Sequence, residues 1–221
     1  MMKIMRFFFH HLYHTFSWTY DLVSFTVSVG RWQDWVLTAL SYIDGPRVLE
    51  LGHGPGHLQV AMRGKGLEVF GLDESTQMGR MASARLTHLS LPVALVRGHA
   101  QSLPFGDNFF DNLASTFPTD YIFDLRTLEE TYRVLRPGGK LVVVPVAWIA
   151  GENALDRAAV WLFRTTRQGH EITEPVKARV KAPFAAAGFR VQVETVEKRS
   201  STVLVVIAQK PAKSESPNEI V

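Results

Sequence analysis

The sequence predicts a doubly wound α/β fold: a seven-stranded sheet, mostly parallel, with a C-terminal antiparallel strand and an N-terminal helical cap. Three observations predict it. Short apolar runs alternate with helix-like stretches from residue 46 onward, the pattern of a parallel sheet covered by helices on both faces. The first of those runs leads straight into a turn carrying Gly52, Gly54 and Gly56. The last two β-rich runs stand close enough in sequence to pair antiparallel.

Taken in order, residues 7–43 are rich in aromatic and aliphatic side chains, and Phe16, Tyr20, Val23 and Val27 fall at the spacing of a helix face, so two or three helices are expected there. Asp44-Gly45-Pro46 is a turn signal, after which Arg47-Val48-Leu49-Glu50-Leu51 reads as a short buried strand. Further strands are expected at residues 67–72, 93–97, 109–115 and 140–146. A helix is expected over residues 124–135, with Asp124 as N-cap and Pro137-Gly138-Gly139 as its stop. Residues 153–167 and 175–187 read as two more helices, the second closed by Gly188. Residues 189–196 and 202–208 then read as a pair of strands joined by the turn at 198–201. The polar segment 211–221 reads as a disordered tail. The expected division is therefore a cap at 1–45, a core domain at 46–210 and the tail.

With 221 residues and 46% hydrophobic content, the chain is long enough for one domain with a real core. A formal net charge of +3 with scattered Lys and Arg gives no basic stripe, which argues against nucleic acid as partner. The absence of cysteine excludes disulfides, thiolate metal sites and cysteine nucleophiles. His10, His11 and His14 interrupt the apolar run that a cleaved signal peptide needs. No carboxylate joins these histidines at ligand spacing, so no metal is expected. No run of about 18 apolar residues occurs, so no spanning helix is expected. The reading is a cytoplasmic protein, soluble or peripheral at a membrane.

In a doubly wound sheet the ligand lies outside the carboxyl ends of the strands, where strand order reverses. Gly52, Gly54 and Gly56 remove the Cβ atoms that would keep a ligand from the turn, and the helix that follows offers free backbone N–H groups. His57 stands where a dinucleotide fingerprint would place its third glycine. Glu50 before the turn suits a cationic amino group better than a pyrophosphate. Asp73 follows 23 residues beyond Glu50, at the end of the second strand, where its two oxygens can accept from both hydroxyls of a ribose.

Four blocks carry a resemblance: Val48-Leu49-Glu50-Leu51-Gly52-His53-Gly54-Pro55-Gly56, Val69-Phe70-Gly71-Leu72-Asp73-Glu74-Ser75, residues 98–111 beginning Gly98-His99-Ala100-Gln101, and Arg133-Val134-Leu135-Arg136-Pro137-Gly138-Gly139-Lys140-Leu141. In order and spacing the chain resembles the class I S-adenosylmethionine (SAM)-dependent methyltransferases over residues 46–146, in particular the branch holding the menaquinone and ubiquinone C-methyltransferases and small-molecule or phospholipid methylases. The resemblance implies a Rossmann-like fold and SAM as cofactor, leaving S-adenosylhomocysteine as product. It implies that Glu50, Gly52, His53, Gly54 and Gly56 serve the methionine end, with His53 exposing its ring and contributing backbone contacts. It places the ribose on Asp73, beside Leu72 and Glu74, and packs Met78 on the adenine. Where the family has an aspartate for the adenine amine, this chain has His99, whose neutral ring can still accept, followed by Ala100 and Gln101. Ser115, Thr116 and Phe117 after the fourth strand would lie near the cofactor, and Tyr20, in a Tyr-Asp pair like that of the quinone- and lipid-acting branch, would fold over its methionine end.

The implied reaction is an in-line displacement onto a small acceptor, for which positioning supplies up to roughly 7–11 kcal/mol and a base about 10²–10⁴-fold. His14, Tyr20 and Asp120 are the candidates for catalytic roles. Three functions stand side by side: a methylase of a lipophilic acceptor such as a quinone precursor or lipid headgroup, a methylase of a soluble metabolite, and a SAM-binding protein without turnover. The N-terminal aromatics fit a cap over the pocket and also a segment in which Phe7, Phe8 and Phe9, beside Lys3 and Arg6, touch a membrane surface. Oligomeric state is not legible.

Overall fold

The computed structural model describes residues 31–149, 173–198 and 201–212. The helices expected before residue 31 and over 153–167 lie outside the described residues, as do Tyr20, His14 and the tail from 213. The first described elements are helix α1 (Trp32–Leu37) and a 3₁₀ turn (Thr38–Ser41). The core then alternates β1 (Arg47–Leu51), α2 (His57–Gly64), β2 (Glu68–Asp73), α3 (Thr76–His88), β3 (Leu95–Arg97) and β4 (Phe110–Thr116). A 3₁₀ turn (Asp120–Phe123) precedes α4 (Leu125–Val134) and β5 (Leu135–Ile149), and α5 (Glu174–Ala186), β6 (Arg190–Lys198) and β7 (Ser201–Gln209) complete it.

The sheet order is β3-β2-β1-β4-β5-β7-β6. Strands β1 to β5 pair parallel and β7 runs antiparallel between β5 and β6, which is the expected doubly wound sheet. The order turns back between β1 and β4, so a crevice opens at their carboxyl ends. The central strands are apolar on both faces because helices cover both: Leu49, Leu51, Leu113, Leu141 and Val143 enter one core and Val48, Ala114, Val142 and Val144 the other. Helix α1 joins the second core through Trp35 and Val36, and the 3₁₀ turn after it through Ala39; the Trp35 indole donates to Ser201 Oγ at 2.8 Å.

Helix α4 is capped as expected, Asp124 accepting from the Arg126 N–H at 3.0 Å. Strand β5 differs from expectation. Pro137-Gly138-Gly139 does not separate a helix from a strand starting at 140; Leu135 already pairs with Phe110, and the ladder resumes at Asn112↔Lys140 after a bulge. Lys210 makes that possible, exchanging backbone bonds with Gly138 and Gly139 and placing its ammonium on Tyr132 O, Leu135 O and Asn108 Oδ1. The sheet's borders are unequal: β3 has three residues, while β6 has nine, with Arg190, Glu194, Glu197 and Lys198 exposed.

Candidate functional site

The carboxyl ends of β1, β2 and β4 converge on the glycine turn. Gly52, Gly54 and Gly56 all sit at positive φ, 65°, 52° and 86°, which the expected role as a tight turn requires. At Gly52 a side chain is excluded twice, since a Cβ there would also stand 2.6 Å from the Tyr121 hydroxyl. Among the described residues nothing lies within 4 Å of a Cβ placed on Gly54, so they leave this stretch of backbone with an open face. Helix α2 begins directly after Gly56 with no side-chain cap, and the positive end of its dipole faces the turn.

Asp73 closes one side of the turn. Its Oδ2 accepts from the Gly54 N–H at 2.9 Å and its Oδ1 from the Ser75 N–H at 2.8 Å. One carboxylate thus ties the β1 exit to the start of α3, and each oxygen keeps a further lone pair for a ligand hydroxyl. Leu72 and Met78 are buried, at 2% and 3% exposure, Met78 in the first turn of α3.

Two expected residues sit differently from expectation. The His53 ring is not exposed: the residue is 4% accessible, and its Nδ1 meets Gly54 O at 2.7 Å. Because a carbonyl only accepts, Nδ1 is the protonated nitrogen. The ring fills space over Gly71, which has no side chain to obstruct it. Glu50 is 1% accessible and turned toward α2, its Oε2 accepting from Gln59 Nε2 at 2.8 Å. Arg63 continues this buried network through Val69 O. Burial pushes the Glu50 carboxyl up to about 8, opposed by the Gln59 hydrogen bond, reinforced by the charge of Asp73 and opposed again by Arg63.

The loop between β3 and β4 forms the other end of the site. His99 is exposed, with Nδ1 3.3 Å from Glu74 Oε2, while Ala100 is buried and Gln101 Nε2 donates to Asp124 Oδ2 at 3.1 Å. This loop is held from α4: Glu130 accepts from the Leu103 N–H at 2.7 Å, and Arg133 donates to Leu103 O, Phe105 O, Asp107 and Glu130.

After β4, Ser115 is fully buried and its Oγ donates to Leu51 O at 2.9 Å. Thr116 and Phe117 are half-buried. Phe117 holds φ 49°, a left-handed conformation uncommon for a bulky side chain, and stacks on Trp32 at 4.2 Å between ring centroids. Asp120 is exposed at the start of the 3₁₀ turn. Tyr121 was not among the expected site residues, yet its hydroxyl lies 2.9 Å from Ser115 Oγ and 3.1 Å from Leu51 O. Burial raises the phenol well above its ordinary range, so it stays protonated. Gln59 was missed as well; its place one turn into α2 carried no distinguishing signal.

A cavity of about 780 Å³ runs from His53 and Asp73 along α3 to Val93 and Leu95. The open face of Gly54 lies outside it. A second, of about 550 Å³, lies between α1, α2 and α3, away from Asp73. Among the described residues no group of three metal-ligating side chains occurs, and no helix is long and apolar enough to cross a membrane.

Residues 49–143 match the family model described as a methyltransferase domain. The chain is 31% identical over 143 residues to a ubiquinone/menaquinone biosynthesis C-methyltransferase of Blochmanniella floridana, covering 61% of this chain and 56% of the relative. It is 34% identical over 128 residues to a demethylmenaquinone methyltransferase of Renibacterium salmoninarum, covering 56% and 52%. The matched part therefore spans little more than half the length of these relatives. Among solved structures, a SAM-dependent methyltransferase from Aquifex aeolicus superposes with a TM-score of 0.57 at 24% identity, covering 80% of this chain and 89% of that one; the shared fold is the class I Rossmann-like one.

Proposed function

We propose that the chain, which matches a methyltransferase-domain model over residues 49–143, is a member of that family and an enzyme moving a methyl group from SAM to a small, lipophilic acceptor. The observation that carries this reading is the open backbone face of Gly54 beside the Asp73 carboxylate. A nucleoside sulfonium needs that combination: a surface without Cβ for close approach and an acidic group for its ribose. The donor set fits the cofactor on chemical grounds too, since the uncapped start of α2 suits its carboxylate and the lone pairs left on Asp73 suit the hydroxyls of its ribose.

Bound SAM would supply a methyl carbon already activated by sulfonium charge, so the chain's residues have positioning to do. Asp73 holds the ribose hydroxyls, using the lone pairs left by Gly54 and Ser75. Gly52, His53, Gly54 and Gly56 line the methionine end with backbone, over a Glu50 carboxyl that Gln59 keeps in place. Leu72 and Met78 give the floor at the ribose and adenine, and Glu74, His99, Ala100 and Gln101 border the adenine. Ser115, Thr116 and Phe117 form the wall between cofactor and acceptor, and Tyr20 is the proposed cover. An acceptor that gives up a proton on receiving the methyl group would need a base. Asp120, exposed beside this wall, is the described candidate, with His14 and Tyr20 as the others.

The names of the curated relatives support a quinone-type acceptor, and the aromatic wall of Phe117 and Trp32 suits a planar ring. Phe7, Phe8 and Phe9 beside Lys3 and Arg6 make peripheral contact with a membrane part of the same proposal, as is the division into cap, core and tail.

Thermal-shift measurements with SAM, S-adenosylhomocysteine and NAD test the cofactor: stabilisation by the first two is expected, and stabilisation by NAD alone refutes it. Labelled SAM incubated with membrane extract and with soluble metabolites tests the acceptor. Label in extractable lipid is expected; label only in water-soluble product overturns the lipophilic reading, and cofactor binding without turnover on either makes the chain a sensor.

A further inference from the structure

The ladder between β1 and β4 ends at Glu50↔Ala114, one residue before the crevice opens. Beyond that point the two strands are joined by side chains. The Leu51 carbonyl, the last of β1, is met by two hydroxyls, Ser115 Oγ at 2.9 Å and Tyr121 Oη at 3.1 Å, which also meet one another at 2.9 Å. The half-buried phenol occupies the space where any side chain on Gly52 would have to go, and the Gly52 N–H is drawn to the other side by Leu72 O at 2.7 Å. Tyr121 and β2 thus grip the first residue of the turn from opposite directions.

We infer that Tyr121 is a positioning residue that sets the turn Gly52-His53-Gly54 for the cofactor, acting through the Leu51 carbonyl and the space beside Gly52. It rests on the cofactor reading proposed above. The geometry separates two tasks. A backbone ladder carried one residue further would satisfy Leu51 O equally well but would draw β1 and β4 together and close the crevice. The hydroxyl pair satisfies the carbonyl while the strands diverge. The 3₁₀ turn that carries Tyr121 also carries Asp120, so the acceptor wall and the cofactor turn are built on one connection.

Tyr121→Phe keeps the ring and removes the hydroxyl; Ser115→Ala removes the hydroxyl's partner and serves should the first variant fold poorly. Hydrogen exchange of the ligand-free protein reads the turn itself: faster exchange at the amides of residues 52–54 and 56, with other core amides unchanged, is expected of Tyr121→Phe. Calorimetric titration with S-adenosylhomocysteine should then show about five- to tenfold weaker binding at a nearly unchanged melting temperature, and the SAM KM should rise while the acceptor KM stays. A folded variant with unchanged turn exchange overturns the proposal, whatever the cofactor. Faster exchange with undiminished affinity overturns it as well. If the wild-type protein fails to bind S-adenosylhomocysteine, the cofactor reading falls and takes this role with it.

Discussion

The two ends of the candidate site are held by different physics. At the β1–β2 end the turn is fixed by backbone: glycines at positive φ, a carboxylate receiving two main-chain N–H groups, and a buried network of Glu50, Gln59 and Arg63 packed under it. At the β3–β4 end the loop is fixed by side chains from α4, chiefly Arg133 and Glu130, and its outward His99 faces solvent beside Glu74 of the β2 exit. Low-dielectric, main-chain fixation makes the first end rigid and sensitive to single atoms. The rim of the second is tolerant, because the exposed His99–Glu74 pair contributes about 0–1 kcal/mol.

The largest effect is expected at Asp73. Asp73→Ala removes the ribose acceptor and the tie between Gly54 and Ser75; two charge-assisted bonds at about 1.5–3 kcal/mol each imply a loss of about 100-fold or more in S-adenosylhomocysteine affinity, measured by titration calorimetry. A loss of less than tenfold would remove the contrast between the ends. Next comes Arg133→Ala, which strips donors from Leu103 O and Phe105 O. It should lower the melting temperature by about 4–10 °C and speed amide exchange in residues 98–107, while the glycine turn keeps its protection.

Glu50 offers a pH test. Its folded carboxyl keeps its proton up to about 8, whereas the ordinary value is 4.5. Between those values the native state binds more protons at Glu50 than the unfolded chain, so this group's contribution to stability is fully present below 4.5 and is lost as pH rises through the window. The melting temperature should fall by about 3–6 °C across it, and in Glu50→Gln that component should vanish; an identical slope in the variant refutes a buried, protonated Glu50. The smallest effect is expected for His99→Ala, less than about threefold in affinity, since the ring is solvated and its Glu74 contact is a surface pair. A larger loss would mean that His99 meets the adenine directly.

The sheet was legible because its strands are short apolar runs bounded by Gly and Pro, a signal that survives without knowledge of packing. Helix α4 could be read from Asp124, but the start of β5 could not, since the residue that lets pairing cross Pro137-Gly138-Gly139 is Lys210, more than seventy positions away. The same limit governs the site. Gly54 and Asp73 declare themselves by residue type at fixed spacing. Tyr121 does not, because its role depends on the Leu51 carbonyl 70 positions earlier, and the burial of His53 depends on Gly71 having left room for a ring.

The unequal borders of the sheet have a consequence for how the protein behaves in a crowded solution. A strand edge recruits other chains in proportion to the length of unpaired, uncharged backbone it offers. Here one margin ends after three residues, and the other displays Arg190, Glu194, Glu197 and Lys198 toward any newcomer. A neighbour adding itself to the first finds too few partners to stay, and at the second it must strip water from fixed charges. Seven strands are therefore a finished number: the sheet is a poor seed for copies of itself.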